Sequence, residues 1–372
     1  MKYYIIAGEA SGDLHGSNLI KALIQKDSSA EFRFWGGDLM KEAASTEPVK
    51  HIKDLAFMGF LEVVLNLKTI LNNIRFCKND IKAYKPDVLI LIDYPGFNLR
   101  IAKFGKAMGI RVVYYISPQL WAWKEGRVKS IRKDVDQMLV ILPFEKEFYD
   151  KHGIQVEFVG HPLLDAVAKL EPVDKQAFLK RNGLGEEPII ALLPGSREQE
   201  VQKMLKTMLS VRPHFTDFQF VIAGAPSLTP SFYEQTTDSK VHFVSNQTYD
   251  LLRVSHAALV TSGTATLETA LLNVPQVVCY RGSRVSYEIA KRLLKNIQYI
   301  SLVNLIMGRE VVKELIQREL TEKLLVLELN KVLSGSKREQ VLNDYKELRG
   351  LLGGSGASEK AAELITSAIN LK

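Results

Sequence analysis

The residues best suited to chemistry lie in short loops that follow apolar runs. The loop AGEASGDLHGSNL, residues 7–19, follows KYYIIA, and its Gly8 and Gly12 allow a sharp turn into a helix whose first amides favour an anion. Only two glycines stand at the turn and Glu9 would repel a pyrophosphate, so the pattern departs from a dinucleotide-binding loop. We therefore favour a strand-to-helix turn, or a site for another polar ligand, over a nucleotide site.

The loop PGSREQE follows the apolar run IIALL and has the composition of a phosphate-binding turn. Arg197 and the amides around Ser196 could hold a leaving phosphate at the start of the next helix. The arginine could instead pair with Glu198 or Glu200, but the phosphate interpretation is favoured.

The loop TSGTATLE follows AALV and places Ser262, Gly263 and Thr264 at the positive end of another helix. Those amides could hold a diphosphate while Glu268, one turn further on, accepts both hydroxyls of a ribose. Alternatively, Thr264 is only an N-cap and Glu268 only balances the helix dipole. The neighbouring phosphate-like loop strengthens the nucleotide interpretation.

The loop IDYPGFN places Asp93 at the tip of the run VLILI, where a carboxylate could take a proton from a sugar hydroxyl. An aspartate before a Tyr-Pro turn could instead satisfy backbone amides only. A further loop, SPQLWAWKEGRVKSIRK, carries Trp121 and Trp123 ahead of a basic cluster between Lys124 and Lys133. That combination suits a lipid headgroup or a sugar phosphate, although two tryptophans are more often part of a core.

The elements that must position these loops alternate between short β-branched runs and amphipathic stretches. The runs are YYIIA, FRFWG, DVLILID, RVVYYI, QMLVIL and VEFVG in the first half, and IIALLPGSR, FQFVIAG, VHFVS, AALVTSG and QVVCYR in the second. This alternation predicts an α/β fold of two Rossmann-like parallel sheets wrapped by helices. Ligands of such sheets bind beyond the carboxyl ends of the strands, where these loops lie.

A pause in the alternation at residues 161–188, which contain three prolines and a polar glycine turn, predicts an interdomain linker. We expect residues 1–165 and 166–354 to form the two domains. A final amphipathic helix follows the GGSG stretch and occupies residues 355–372.

Composition restricts the function classes. Apolar residues make up 46% of the chain and charged residues 24%, as in ordinary globular proteins. We expect a cytoplasmic protein, because no stretch approaches the roughly 18 apolar residues of a membrane span and no apolar leader is present. The net charge of +7 favours a phosphorylated ligand or a polyanionic surface. RNA binding is disfavoured because no RNA-binding signature accompanies the basic clusters.

Neither a metal nor a cofactor is expected from the sequence. The cysteines Cys77 and Cys279 are isolated, and the seven histidines lack metal-ligand spacing. Asp134 and Asp136 match the DxD pattern of one glycosyltransferase architecture, but they precede a strand and so would lie at the wrong edge of a sheet. His161 in VGHP could line a cleft or belong to an ordinary turn.

Residues 55–76, LAFMGFLEVVLNLKTILNNIRF, are predicted to be a helix with one narrow polar stripe. Two interpretations compete: a helix enclosed in the core, or an apolar face that contacts acyl chains beside Lys68, Arg75 and Lys78. The residues that would contact lipid are Phe57, Met58, Phe60, Leu61, Val64 and Leu67.

The motifs together resemble the lipid-A-disaccharide synthase family of inverting glycosyltransferases, from one end of the chain to the other. The resemblance is carried by GEASGD, LAFMGFLEVV, PDVLILIDYPGFN, YYISPQLWAW, LPFEKEFYDKHG, FVGHPL, LLPGSREQEV, SGTATLE and YISLVNLIMGREVVKELIQ. It implies a GT-B fold, in which two Rossmann-like domains face a central cleft and the last helix returns to the first domain.

The resemblance also implies the reaction. UDP-2,3-diacylglucosamine would be joined to 2,3-diacylglucosamine 1-phosphate (lipid X), giving a β(1→6) disaccharide 1-phosphate and UDP. Asp93 would be the base, with Arg197 stabilising the leaving group. The expected donor-binding residues are Ser196, Ser262, Gly263, Thr264, Glu268, Arg281 and Asn304. The expected acceptor-binding residues are Gly8, Glu9, Ser11, Gly12, Trp121 and Trp123.

Because the substrates are acylated, the resemblance favours the lipid-facing interpretation of residues 55–76, with peripheral contact to the anionic cytoplasmic face of the inner membrane. A homodimer is one alternative for the assembly. Two other functions stay open: another GT-B enzyme acting on UDP-N-acetylglucosamine, such as a muramyl-type transferase or a 2-epimerase, and a non-catalytic membrane-associated binding protein.

Overall fold

The computed structural model describes residues 1–55, 67–118, 120, 125–225, 228–237, 241–282 and 298–367, apart from the side chains of Leu67 and Glu125. The chain divides into two compact units. Unit 1 comprises Met1–Asp165 together with Leu352–Lys372, and unit 2 comprises Ala166–Leu351. The end of the chain therefore belongs to the unit formed by its first half.

Unit 1 is built on a parallel sheet. Among the described residues its strands are β1 (Lys2–Ala7), β2 (Glu31–Gly36), β3 (Lys50–His51), β4 (Val88–Ile92), β5 (Arg111–Tyr115), β6 (Gln137–Val140) and β7 (Glu157–Phe158). They lie in the order β3-β2-β1-β4-β5-β6-β7. The helices between them are α1 (Ala10–Lys26), α2 (Asp38–Ala44), α3 (Leu67–Tyr84), α4 (Pro95–Ala107), α5 (Val128–Asp134) and α6 (Pro143–Lys151).

The central strands of unit 1 are apolar on both faces because helices cover the sheet on both sides. Every residue of β4 is buried, and so is every residue of β1 after Lys2. Two large aromatic side chains of the core pair their polar atoms: Trp35 Nε1 donates to the Tyr4 hydroxyl at 2.9 Å, and that hydroxyl donates to Asp80 at 2.7 Å. These bonds let Trp35 and Tyr4 be buried with their polar atoms paired.

Unit 2 repeats the architecture after the short helix α7 (Pro162–Ala168). Its strands are β8 (Ile189–Leu193), β9 (Gln219–Gly224), β10 (His242–Ser245), β11 (Ser255–Thr261), β12 (Gln276–Tyr280) and β13 (Lys313–Ile316), in the order β10-β9-β8-β11-β12-β13. The described helices are α8 (Lys175–Arg181), α9 (Glu198–Leu209), α10 (Pro230–Thr236), α11 (Thr248–Val254), α12 (Thr264–Leu271), α13 (Leu302–Met307), α14 (Glu322–Leu333) and α15 (Ser336–Leu351).

The last described helix, α16 (Ala357–Ser367), packs on unit 1, as the predicted return of the final helix requires. Asp165 accepts from the Gly356 amide at 2.5 Å, and Lys360 Nζ donates to the Phe158 carbonyl at 2.8 Å. The alanines and isoleucine on its inner face are buried, so this helix is part of the unit 1 core.

Every apolar run that predicts a strand contains one. The edge strands β3 and β13 carry no such signal, because β3 is only Lys-His and β13 is Lys-Glu-Leu-Ile. Residues 161–188, where the sequence predicts a linker, contain the helices α7 and α8, and the two units divide between Asp165 and Ala166.

Candidate active site

The strand order reverses once in each sheet, and the loops identified in the sequence follow the strands at those points. In unit 1 the reversal lies between β1 and β4, where Ala7 is paired with Ile92. In unit 2 it lies between β8 and β11, where Leu193 is paired with Val260. Open α/β sheets bind ligands at such switch points, beyond the carboxyl ends of the strands. Each unit therefore contains one candidate site.

Asp93 follows β4 directly, and its backbone has an unusual conformation. Asp93 and Tyr94 have φ angles of 44° and 48°, in the left-handed region that side chains other than glycine rarely adopt. The Asp93 carbonyl accepts from Asn98 Nδ2 at 2.8 Å and from the Tyr114 hydroxyl at 2.6 Å. These two buried donors hold the strained turn and so fix the point from which the carboxylate extends.

The surroundings of Asp93 favour its neutral form. Burial raises the pKa of this carboxyl to about 6, the negative charge of Glu9 acts in the same direction, and a hydrogen bond from the Tyr94 amide opposes both. About nine in ten such carboxyls are still ionised at pH 7, and each is a stronger base than an exposed aspartate. Asp93 is therefore suited to accept a proton near neutral pH.

A second acid, Glu145, interacts with Asp93 and was not identified from the sequence. Its carboxylate accepts from the Leu142 amide at 3.0 Å and caps α6. Burial raises the pKa of Glu145 to about 8, hydrogen bonds from Leu142 and Ser117 act against this, and the charge of Asp93 adds to it. The segment PFEKE indicates only a helix start, because the proximity to Asp93 exists only in the fold.

The loop after β1 is a tight strand-to-helix turn, as the sequence favours. Only Gly8 and Glu9 separate β1 from α1. A Cβ at Gly8 would lie 2.4 Å from the Tyr94 ring, and a Cβ at Gly12 would lie 3.1 Å from a β1 side chain, so both positions need glycine or a very small residue. Ser11 is exposed in the first turn of α1. This loop therefore lies against the Asp93 loop.

The last residue of the GEASGD motif, Asp13, has a structural role. Its buried carboxylate accepts from the amides of Gly37, Leu39 and Met40 at 2.7, 3.1 and 3.1 Å, at the start of α2. These amides have no partner within their own helix, so Asp13 caps α2 and ties it to α1.

A cavity of about 340 Å³ lies at the switch point of unit 2. Loops that follow β8, β9 and β11 form its walls with the first turns of α9, α11 and α12. The polar side chains that line it belong to Ser196, Glu200, Thr248, Thr261, Ser262, Thr264 and Glu268, and its glycines are Gly195, Gly224 and Gly263. The structure thus brings together five of the seven predicted donor residues.

The PGSR turn is closed by Glu200. The carboxylate of Glu200 accepts from the Ser196 amide at 3.3 Å and from Arg197 Nη1 at 3.2 Å. The Arg197 side chain is 60% exposed and is not among the described residues that line the cavity. The pairing with Glu200 that the sequence left open is therefore present, and an anion would have to compete with it.

Glu268 lies at the inner side of the cavity and accepts a hydrogen bond from the Tyr249 hydroxyl at 2.8 Å. Burial raises the pKa of this carboxyl, and the Tyr249 bond acts in the opposite direction. Gly263, with φ of 151°, is the N-cap of α12, so Thr264 begins the helix and is not its N-cap. Ser262 Oγ donates to the Ile300 carbonyl at 2.9 Å.

Two other predicted donor residues have internal partners. The Asn304 amide donates to Val312 and Glu314 and accepts from the backbone amides of Val311 and Val312. These four bonds use both N–H groups and both oxygen lone pairs of the amide, so no hydrogen-bonding group of this side chain is left for the sugar nucleotide. Arg281 donates to Thr207 and to a backbone carbonyl, and it is not among the described cavity residues. The sequence places both residues near the loops but does not show these partners.

Several predicted contacts fall outside the described residues. They are Trp121, Trp123, Phe57, Met58, Phe60, Leu61 and Val64. Leu67 begins α3, but its side chain is not described either.

The other discounted motifs have structural partners. Asp136 accepts from Lys106 and from the Val112 amide, and Asp134 is buried at the end of α5. His161 Nδ1 accepts from the Leu163 amide at 3.2 Å, as a turn histidine does. In the part of the chain that the structure describes, no cluster of three His, Cys, Asp or Glu side chains is suited to a metal ion, and no helix is long and apolar enough to span a bilayer.

Comparison with known sequences gives matches over nearly the whole chain. A family model described as lipid-A-disaccharide synthetase matches residues 3–368. Two proteins named lipid-A-disaccharide synthase, from Syntrophus aciditrophicus and Geobacter metallireducens, are 40% and 38% identical to this chain. The matches cover 98% and 99% of this chain and 97% of each relative.

Comparison with solved structures supports the fold. The S. aureus MnaA–UDP co-structure has a TM-score of 0.70 at 14% identity, covering 100% of this chain and 97% of the other. The glycotransferase of kitacinnamycin has a TM-score of 0.68 at 13% identity, covering 98% of both chains. UDP-GlcNAc 2-epimerase from Neisseria meningitidis, bound to UDP-GlcNAc, has a TM-score of 0.64 at 14% identity, covering 100% of both chains. Such identities show the fold alone, and the predicted GT-B class is confirmed.

Proposed function

Because the chain belongs to the lipid-A-disaccharide synthetase family, we propose that it joins UDP-2,3-diacylglucosamine to 2,3-diacylglucosamine 1-phosphate. The products would be the β(1→6) disaccharide 1-phosphate and UDP. The family makes the chain a glycosyltransferase of lipid A biosynthesis, and the two named substrates are the finer part of the proposal. The two acylated substrates follow from the family. The observation that carries the transfer to a sugar hydroxyl is the half-buried, strained Asp93 at the switch point of unit 1, whose pKa of about 6 suits a base for that hydroxyl.

In the proposed reaction the acceptor's 6-hydroxyl oxygen attacks the anomeric carbon of the donor while Asp93 accepts its proton. The bond from that carbon to the UDP oxygen breaks as the new bond forms. One displacement inverts the configuration, so no covalent enzyme intermediate is needed. The hydrogen bonds from Asn98 and Tyr114 to the Asp93 carbonyl support this role, because a base must be held in place while the hydroxyl approaches.

The departing UDP carries growing negative charge on its β-phosphate. We assign its stabilisation to Arg197 and to the amides that open α12 at Thr264. Glu200 pairs with Arg197, and a diphosphate, with more negative charge than one carboxylate, would displace it. Glu268, oriented by Tyr249, would accept the ribose hydroxyls. Ser196, Ser262 and Gly263 complete the proposed donor site.

The acceptor would be bound by unit 1. Gly8, Glu9, Ser11 and Gly12 remain the proposed contacts on the β1 side, because their turn lies against the Asp93 loop. Trp121 and Trp123 stay proposals on the resemblance alone.

The test is the formation of disaccharide 1-phosphate and UDP from the two acylated substrates, followed by mass spectrometry and by coupled UDP detection. We expect UDP release only when donor and acceptor are both present, and a large loss of rate when either is deacylated. UDP-N-acetylglucosamine alone should be returned unchanged. Its conversion to the 2-epimer would favour the epimerase alternative, and an absence of turnover with every substrate pair would favour a binding protein.

Peripheral membrane contact is also proposed, with support from the described part of α3. Lys68, Arg75 and Lys82 recur every seven residues and are exposed, as is Leu71 between them. A stripe of cations with an exposed leucine suits an anionic lipid surface, which would present the acylated substrates.

Vesicle sedimentation tests the membrane proposal. Arg75→Glu combined with Lys82→Glu should reduce binding to phosphatidylglycerol vesicles, because it reverses two exposed positive charges. The pair Lys203→Glu and Lys323→Glu, exposed cations of unit 2, is the matched control for net charge. Equal loss in both pairs would mean that net charge, not the α3 stripe, determines binding.

A further inference from the structure

We propose that Glu314 is a positioning residue for the cavity of unit 2, acting through Ile300 on Ser262. The inference rests on the proposed function, in which the loop after β11 binds the diphosphate of the donor. Glu314 lies on the edge strand β13, and it is not one of the described residues that line the cavity. Its effect on a ligand would therefore be indirect.

The carboxylate of Glu314 is buried and accepts four hydrogen bonds. One oxygen accepts from the Ile300 amide at 2.9 Å, and the other accepts from the Ser301 amide at 2.9 Å, the Ser301 hydroxyl at 2.7 Å and Asn304 Nδ2 at 2.9 Å. Bonds of this kind, from neutral donors to a charged acceptor, are the stronger ones in proteins. The segment from Ile300 to Asn304 is thus held around one carboxylate.

One peptide group links this carboxylate to the cavity. The amide of Ser301 and the carbonyl of Ile300 belong to the same peptide plane, with Glu314 at the amide end and Ser262 Oγ at the carbonyl end, 2.9 Å away. Because both ends are bonded, the plane cannot rotate without losing a contact on each side, and bonds in such a series strengthen one another. Ser262 lines the cavity, so the orientation of its hydroxyl is set from β13.

The position requires an acceptor on both carboxylate oxygens. Glutamine has nearly the same shape, but its amide nitrogen would face either the Ile300 amide or the three donors at the other oxygen. Glu314→Gln therefore breaks at least one bond and places two donors against each other, while the side-chain volume stays constant. This makes it a sharper perturbation than truncation to alanine.

The same network accounts for the side-chain amide of Asn304, whose partners are all internal. Its amide closes the turn at Val312 and contributes one of the four bonds to Glu314. Asn304 and Glu314 thus act together, and the segment from Ser301 to Glu314 holds the Ile300 carbonyl that Ser262 contacts in the loop after β11.

Titration calorimetry with UDP on the full chain tests the inference. Glu314→Gln should weaken UDP binding about tenfold, the effect of one strong hydrogen bond. The KM for the donor should rise by a similar factor, and the KM for the acceptor should stay within about twofold. Glu310→Gln is the matched control, because Glu310 is an exposed acid four residues away that pairs with Lys313. It should bind UDP as the unchanged protein does.

A double-mutant cycle with Ser262→Ala separates positioning from general destabilisation. If Glu314 acts through Ser262, the double variant should bind UDP no more weakly than the weaker single variant. Additive losses, or a folded Glu314→Gln protein with unchanged UDP affinity, would overturn the inference. Should Glu314→Gln fail to fold, Ser301→Ala removes one bond to the carboxylate, together with the hydroxyl that caps α13. It should weaken UDP binding about threefold in the same cycle, and an unchanged affinity would equally overturn the inference. Absence of UDP binding by the unchanged protein would instead refute the proposed donor site, and this inference with it.

Discussion

Replacing Asp93 by asparagine is expected to remove most of the turnover and, at neutral pH, to stabilise unit 1. The amide cannot accept the proton, so the rate should fall by about 10² to 10⁴. UDP affinity should change little, because the proposed donor residues all lie in unit 2. The stabilising effect follows from the raised pKa of the half-buried Asp93 carboxyl.

The pKa of Asp93 rises from 3.8 to about 6 on folding. The folded protein therefore holds this proton more tightly than the unfolded chain, and wild-type stability falls as pH rises from about 4 to about 6. A shift of about two pKa units corresponds to roughly 3 kcal/mol, which sets an upper limit. Asparagine does not ionise, so the variant should gain up to this amount above pH 6, and the gain should vanish below pH 4.

Urea unfolding followed by tryptophan fluorescence measures this effect in the right unit. The three tryptophans of the chain, Trp35, Trp121 and Trp123, all belong to unit 1. Asp87→Asn is the matched control, because Asp87 precedes the same strand at its opposite end and is exposed. A variant less stable than wild type at pH 8 would contradict the assigned burial. Turnover within tenfold of wild type would exclude Asp93 as the base.

Three further substitutions test other parts of the two sites. Gly8→Ala should lower both the urea midpoint of unit 1 unfolding and the turnover, because the added methyl group meets the Tyr94 ring. The control Gly96→Ala, which has open space around it, should leave both quantities unchanged. Asp13→Ala should cost about 1–3 kcal/mol in urea unfolding, because three helix-start amides lose their acceptor. Tyr249→Phe should bring the dissociation constants of UDP and 2′-deoxy-UDP closer together, because Glu268 loses the bond that orients it.

Each of these has a result that would contradict it. An alanine at Gly8 that is as stable as wild type would mean that the Tyr94 ring moves aside freely. A neutral effect of Asp13→Ala would mean that water replaces the carboxylate on α2. Unchanged discrimination between UDP and its deoxy analogue in Tyr249→Phe would separate Glu268 from ribose recognition.

The sequence predicts the fold well because the relevant signals are local. The buried run at β4 and the turn residues after it determine both the strand and the position of Asp93, with no information from distant parts of the chain. The same holds for the loops after β8 and β11. The edge strands β3 and β13 escape prediction because pairing with a neighbour, not hydrophobicity, creates them.

The parts of the sites that the sequence misses depend on contacts between distant segments. The charge of Asp93 acts on Glu145, which lies 52 residues further along the chain, and Asp13 caps α2 from 24 or more residues before it. The sequence predicts that Asn304 contacts the donor sugar nucleotide. It does not show that the side-chain amide of Asn304 is already bonded to Glu314 and to the backbone. Residue type indicates what a side chain can bond, whereas packing decides which partner it meets.

The placement of α16 in unit 1 has a consequence for biosynthesis. A ribosome makes all of unit 2 before it reaches Ala357, so the nascent first half must wait for the helix that packs on α1. Unit 2 is made in one uninterrupted run, so it needs no segment that is synthesised after it. Until Ala357–Ser367 has been synthesised, the surface of α1 that this helix covers stays open to water.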